Sequence, residues 1–340
     1  MYLISPHLPQ YRANLHCHST ISDGKLTPQQ LKDLYKSEGY QVLSITDHEV
    51  PKSHYAMSDP DFLMLTGYEF YTRPGSDGQY NRYAPETHLN LFARDPHNET
   101  IICYDPRYCK YMPAEYFEAL PHAGSQRPRV YTPAYVNEVI QTARENGYLV
   151  AYNHPYWSME SEADILSYEG CFSMEMINYS SYVGNYLEHN SAVYDKLLQS
   201  GKRIYCHGAD DNHNTHPVDS PYSDSFGGFT MIQAKDLSYS SIMEAMEKGN
   251  MYASMGPRFR EVSLENDVIH VECSEVSGIF AYFGSKKPAV LLAEPGKTLT
   301  AGDLKVDPNA RYIRVSIRDK EGKWADTRGF FRDELGLPSL

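Results

Sequence analysis

The sequence predicts an α/β protein, with a parallel sheet or barrel over most of its length and a small antiparallel β domain after it. Three observations lead there. Short apolar runs alternate with helical patterns as far as about residue 255, which favours parallel strands joined by crossover helices. Beyond that point the runs alternate apolar and polar residues between turn signals such as "END" and "DKEG". At 340 residues the chain can build one large α/β domain and a smaller one, so the expected division is 1–255 and 256–340.

The elements follow in order. "RANLHCH" is the first strand. In "TPQQLKDLYKSEG", Thr27 is placed as N-cap, Pro28 at the first helical position and Gln30 as the far half of a capping box, with Gly39 closing the helix. "QVLSITDH", "FLMLTGYEF" and "HLNLFA" read as strands. "TPAYVNEVIQTARENG" repeats the helical grammar with Thr132, Pro133 and Gly147. "YLVAYNHP", "CFSMEMINY", a helix near 188–200, "RIYCHGADDNH", "GFTMIQA" and a helix near 240–248 continue the alternation. Residues 72–87 and 104–130, rich in Pro, Tyr, Gly and Arg, read as long excursions of the kind that form lids or binding loops.

Bulk composition narrows the function. A net charge of −13 argues against sequence-independent binding to long nucleic acid or to an anionic membrane, both of which reward excess Lys and Arg. The 29 tyrosines suit a wet aromatic cleft and surface packing equally. Cysteines at 17, 103, 109, 171, 206 and 273 form no C-x-x-C pair, which fits a reducing cytoplasm better than a disulfide framework. No signal peptide or membrane-length apolar run is expected.

Many of the 14 histidines fall at one kind of place, the C-terminal end of a predicted strand. His16 and His18 end the first strand, His48 ends "VLSITDH", His154 ends "LVAYNH", and Asp211 and His213 follow "RIYCHGADDNH". In a parallel barrel those ends converge on one face. Taken singly, H-x-H, "TDH", "NHP" and "DDNH" are ordinary strand-end polar residues, caps or turns. Together they bring imidazoles and carboxylates to one place, the chemistry of a multinuclear metal site. A Ser-His-Asp triad needs fewer groups, and no G-x-S-x-G is present.

"NLHCHSTISDGKLTPQQLKDLYKSEGYQVLSITDHE", "GYEF", "HLNLF", "NHP" and "DDNH" together resemble the PHP (polymerase and histidinol phosphatase) superfamily over roughly residues 12 to 255. The resemblance implies a distorted (β/α)7 TIM-like barrel holding two or three divalent metals (Mn, Fe or Zn) and acting on phosphate esters through a metal-bound hydroxide. It implies that His16, His18 and Asp211 bind one metal and that Glu69 bridges it to a second. His88 and His154 would complete the second site, with His97 as an alternative to His88, and Asp23, His48 and His213 would hold a third. Asp210 and His213 are candidates for proton transfer, and Asp47, Asp210 and Glu175 for orienting the imidazoles. His207 reads as strand-interior packing or as a partner of a ligand, and the other histidines as surface or structural.

A phosphate also wants a protein cation, and Arg258, Arg82, Arg107, Arg127 and Arg129 are the candidates. "GNMYASMGPRF" before a β domain is similar to the tail of bacterial two-domain PHP-like hydrolases, which implies a β-sandwich-like module. The expected partner is a small phosphorylated substrate, with no long nucleic acid or membrane; a homo-oligomer is compatible. The rival readings are a carboxylic ester or amide hydrolase on the same site, and a non-catalytic binding protein.

Overall fold

The computed structural model describes residues 1–75 and 79–338, so the excursion 72–87 is described apart from 76–78 and the tail as far as 338. The strands in the first region are β1 (Tyr2–Ile4), β2 (Gln10–Asn14), β3 (Val42–Ile45), β4 (Leu63–Thr72), β5 (Thr87–Ala93), β6 (Ile101–Ile102), β7 (His122–Ala123), β8 (Tyr148–Tyr152), β9 (Ser173–Asn178), β10 (Tyr205–Ala209), β11 (Phe229–Gln233) and β12 (Met251–Ser254). The helices are α1 (Pro28–Ser37), α2 (Ala114–Ala119), α3 (Pro133–Glu145), α4 (Glu162–Ser167), α5 (Tyr179–Asn185), α6 (Ser191–Gln199) and α7 (Tyr239–Glu247).

Local chemistry explains their ends. Thr27 Oγ1 accepts from Gln30 N at 3.3 Å and Gln30 Oε1 accepts from Thr27 N at 2.9 Å, a reciprocal cap worth about 1 kcal/mol. Gly39, at φ +76°, turns the chain out of α1 into β3, a backbone conformation in which a Cβ is strained. In α3 the apolar face of Val136, Val139, Ile140 and Ala143 is buried against β4, β5 and β8.

The large sheet has the order β10-β9-β8-β5-β4-β3-β2-β11-β12 before it enters the tail. Pairing is parallel through β2, β3 and β4 and through β8, β9 and β10. It is antiparallel at β5, which lies between β4 and β8, and at β11. The expected parallel order therefore fails at β5 and at β11. No helix lies between β4 and β5 among the described residues, and a strand that returns without a crossover runs backwards.

Nor does a strand ladder close the expected (β/α)7 ring among the described residues. β10 and β11 share no ladder; Thr230 Oγ1 donates to Gly208 O at 2.7 Å and accepts from Gly208 N at 3.1 Å. A Cβ on Gly208 would stand 2.8 Å from Phe229 O, so the approach requires glycine. Beyond the strand ends, Asp211 N donates to His16 O at 2.9 Å and His18 N to Asn212 O at 3.0 Å, which draws the last segment onto the first.

Residues 256–338 are antiparallel β structure, as expected: β13 (Phe259–Glu265), β14 (Val268–Val276), β15 (Gly278–Tyr282), β16 (Ala289–Leu292), β17 (Leu299–Lys305), β18 (Tyr312–Arg318), β19 (Trp324–Thr327) and β20 (Phe330–Phe331). Two strand pairings tie them to the first region, β1 on β13 and β12 on β19. One apolar cluster runs through both, from Tyr35, Met231 and Tyr252 to Ile269, Ile279 and Ile317. At this junction Arg314 is buried between Asp195 (2.7 Å) and Asp326 (2.9 Å), and His189 Nε2 meets the other oxygen of Asp326 at 2.8 Å. Among the described residues no helix is long and apolar enough to cross a membrane.

Candidate metal centre

The strand ends bring the donors together. His16 and His18 follow β2, His48 follows β3, His154 follows β8, and Asp211 and His213 follow β10, while Glu69 and His88 lie within β4 and β5. Backbone bridges beyond the strands, Cys17 to Asn212 and His48 to Glu69, fix their heights. His154 (φ +24°), Asp211 (φ +53°) and Glu49 beside His48 (φ +61°) all occupy the left-handed region. Such strain costs of order 1–3 kcal/mol each and persists where packing over-determines it.

Glu69 is the hub. It is 1% exposed, and its oxygens lie 3.2 Å from His16 Nε2, 3.5 Å from His18 Nε2, 2.9 Å from His48 Nδ1, 3.0 Å from His88 Nδ1 and 3.4 Å from His154 Nε2. Asp211 Oδ1 lies 3.1 and 3.0 Å from the Nε2 atoms of His16 and His18, which are 3.2 Å from each other. Asp23 faces His18, His48 and His213 at 3.7, 3.6 and 3.5 Å. Three sets have donor atoms within 4.8 Å of one another: His18, Asp23, His48 and His213; His16, His18 and Glu69; and His48, Glu69 and His88.

This donor set fits divalent cations. His48 Nδ1 and Asp211 Oδ1 are buried without a hydrogen bond despite their close neighbours, and two imidazole nitrogens turn to one carboxylate oxygen. The protonation pattern is strained in the same way. Burial alone would lower the His16 pKa, yet Asp211, Glu69 and Glu175 raise it well above the ordinary value. Burial, His213 and His48 push His18 down to about 4. Burial would raise Glu69, but His16, His88 and His48 hold it well below the carboxylate range. A cation at the shared atoms would supply the positive charge that protons otherwise bring, and mixed imidazole and carboxylate donors suit zinc, iron or manganese.

The outward nitrogens are also held. His16 Nδ1 meets Glu175 Oε1 at 2.9 Å, His88 Nε2 meets Glu86 Oε2 at 3.2 Å and His154 Nδ1 meets Ser158 Oγ at 3.2 Å. Asn178 ties Glu175 to Asp211, and Asn153 donates to Glu69 at 2.8 Å. Of the expected orienting groups, only Glu175 touches an imidazole. Asp47 instead accepts from Ser19 and Ser22 and fixes the loop that carries Asp23.

Asp210 is turned away: its oxygens accept from Tyr35 Oη, Phe226 N and Gly228 N at 2.7–2.8 Å, and burial lifts it to about 7. Asp210 is therefore not in position to move a proton in the cleft, whereas His213 lines it. His97 is exposed against Tyr55, away from the cluster that holds His88. His207 is buried in β10 with Nδ1 on Ser173 Oγ.

A cleft of about 490 Å³ opens over Asp23, His48, Glu69, His88, His154, Asp211 and His213. Its cations are Arg73 and Lys110, neither among the expected arginines. Arg73 pairs with Glu86 at 2.9 Å and lies on the Tyr71 ring. It ends a strand run as the histidines do, so the strand-end rule that located them also reaches Arg73.

The expected arginines lie elsewhere. Arg129 is buried against Glu49 at 2.5 and 2.7 Å, and Arg107 is folded onto Asp105. Arg127 is on the surface with Glu138, and Arg258 is exposed beside Ser274 in the tail. Arg82 lines a neighbouring cavity that shares a wall with the cleft.

No protein-family model matches the chain. A 5'-3' exoribonuclease from Haemophilus influenzae is 35% identical over 63 residues, which is 17% of this chain and 23% of that relative. Among solved structures, a two-domain protein from Bacteroides vulgatus containing a predicted PHP-like metal-dependent phosphoesterase is 14% identical with a TM-score of 0.48, covering 97% of this chain and 98% of its own. A candidate metal-dependent phosphoesterase from Bifidobacterium adolescentis is 17% identical at 0.37, covering 61% and 89%. An amidohydrolase from Chromobacterium violaceum, with bound sulfate and no metal, is 14% identical at 0.39, covering 59% and 87%.

Proposed function

We propose that the chain is a metal-dependent hydrolase of the PHP kind that cleaves a small phosphate mono- or diester. The observation that carries the reading is the convergence of Asp23, Glu69, Asp211 and six imidazoles beneath a cleft whose rim holds Arg73 and Lys110. Two or three divalent cations, held by His16, His18, Asp23, His48, Glu69, His88, His154, Asp211 and His213, would supply Lewis acidity and a nucleophile at neutral pH. The chain's own residues do the rest. Arg73 and Lys110 attract the phosphoryl group and orient it from the rim. Glu175, Glu86 and Ser158 fix the ring orientations of His16, His88 and His154. His213, part-exposed, is the group best placed to exchange a proton with the leaving oxygen.

The cation pair favours a phosphate over a neutral ester or amide, which has no anionic charge for it to hold. The net charge of −13 speaks against a long RNA, so the exoribonuclease likeness is read as a likeness of one stretch. The test is elemental analysis of the purified protein, with assays of a phosphomonoester, a phosphodiester and a carboxylic ester before and after chelation, alongside Arg73→Ala. Metal at two or three ions per chain, with phosphate hydrolysis lost on chelation and weakened in Arg73→Ala, is expected. Hydrolysis of only the carboxylic ester would replace the reading with the ester or amide hydrolase, and less than one ion per chain after reconstitution would sink the metal centre.

A further inference from the structure

A second cavity, of about 690 Å³, lies beside the metal cleft, and the two share Tyr80, Glu86 and Trp157 as a wall. Its near side is the run "PYWSM" that follows the ligand His154. Tyr156, Trp157 and Met159 are 51%, 38% and 56% exposed there, three large apolar side chains left open to water within four residues. A contiguous apolar patch of this kind marks a binding site more often than a single exposed side chain does.

The run is held rigidly. The buried carboxylate of Glu188 accepts from Tyr156 N at 3.1 Å and Trp157 N at 2.9 Å, and Ser158 N bonds back to His154 O at 3.0 Å. One edge of the Trp157 ring is thereby set against the metal-facing histidines, 4.8 Å from His154 and 5.1 Å from His88 between centroids. The same indole thus borders the predicted reaction centre on one side and the empty groove on the other.

We infer that this groove binds a planar aromatic ring carried on the leaving group of the substrate, with Trp157 and Tyr156 as its stacking surfaces and Met159 and Val193 in the same lining. The inference deepens the phosphoesterase reading and rests on it for the word substrate; ring binding itself does not. A volume of about 690 Å³ holds a ring and a short linker, and polar groups in its lining, Asn81, Arg82 and Lys196 with its partner Glu162, suit the edge of a heteroaromatic ring better than that of a plain hydrocarbon.

The experiment has two arms on the metal-loaded full chain. Adenosine and glycerol supply matched primary-alcohol leaving groups, so AMP and glycerol 3-phosphate share the scissile bond and differ in the ribose and the aromatic ring. Tyr156→Ala/Met159→Ser, which touches only the groove, is expected to lower kcat/KM for AMP by about tenfold to a hundredfold and to leave glycerol 3-phosphate within about twofold. An equal change for both esters, or none for either, overturns the inference.

The second arm needs no turnover. In Trp324→Phe the remaining tryptophan is Trp157, and adenosine is expected to quench its fluorescence saturably in the parent and not in the groove variant. Absence of saturable quenching overturns the ring site. Quenching without hydrolysis of any phosphate would retire the phosphoesterase reading while the ring site stands. Hydrolysis of both esters without quenching would do the reverse.

Discussion

Two of the buried clusters of charge in this molecule are built on opposite principles. At the junction, Arg314 lies between Asp195 and Asp326, and His189 and Ser316 take up the remaining oxygen lone pairs. That cluster contains its own cation and is closed. At the strand ends, Glu69, Asp211, Asp23 and Glu175 gather six imidazoles and not one guanidinium or ammonium in direct contact among the described residues. Arg73 stands off behind Glu86. A buried acidic cluster that holds an arginine is neutralised from within; one that gathers only imidazoles has the donor chemistry of a cation site.

The contrast can be broken most severely at Glu69. Glu69→Gln removes the charge that five imidazoles share, so metal content should fall by at least one ion per chain and turnover to background, both read on the same preparation by elemental analysis and assay. Unchanged metal content would make the two clusters alike. Arg314→Met attacks the closed cluster and leaves Asp195 and Asp326 uncompensated, which should cost about 3–5 kcal/mol in denaturant unfolding while metal stoichiometry holds. A loss of metal in that variant would show that the two regions are coupled.

Glu175→Gln is subtler. It weakens the carboxylate hold on His16 Nδ1 and should lower metal affinity by about 10–100-fold in competition with a chelator, with the fold retained. The smallest effect is electrostatic. Burial works to raise the Asp326 carboxyl, but His189 and Arg314 hold it below its ordinary value of 3.8. A depressed carboxylate contributes stability that is complete above the ordinary value and is lost as pH falls below it. Unfolding of chelated protein should therefore steepen in acid, and Asp326→Asn should flatten that limb.

How much of this was legible in the sequence depends on the range of the interaction. The capping box of Thr27 and Gln30 and the φ +76° turn at Gly39 are written within a few residues, and they form as read. The strand-end placing of His16, His18, His48, His154, Asp211 and His213 needs only local strand boundaries, and the structure draws these side chains together. What failed involves partners far apart in the chain. Arg129 sits in a Pro- and Tyr-rich excursion that reads as a lid or binding loop, where it is expected to meet substrate, yet its partner is Glu49, 80 residues away beside His48, and the pair pins that excursion down. The direction of β5 was equally hidden, because an apolar strand looks the same whichever way it runs.

The Thr230 contact and the two backbone bonds joining Asp211 to His16 and His18 to Asn212 have a mechanical meaning. A continuous ladder shares any opening force among many bonds, whereas no ladder joins β10 to β11 among the described residues, and the clasp of bonds between the two ends lies where the donors sit. A cation gripped by His16, His18 and Asp211 would cross-link the two ends of the sheet, so that filling the site and fastening the ring become one event. The amides of His18 and Asp211 are then the natural gauge of both, exchanging with solvent quickly when the clasp is bare and slowly once it is locked.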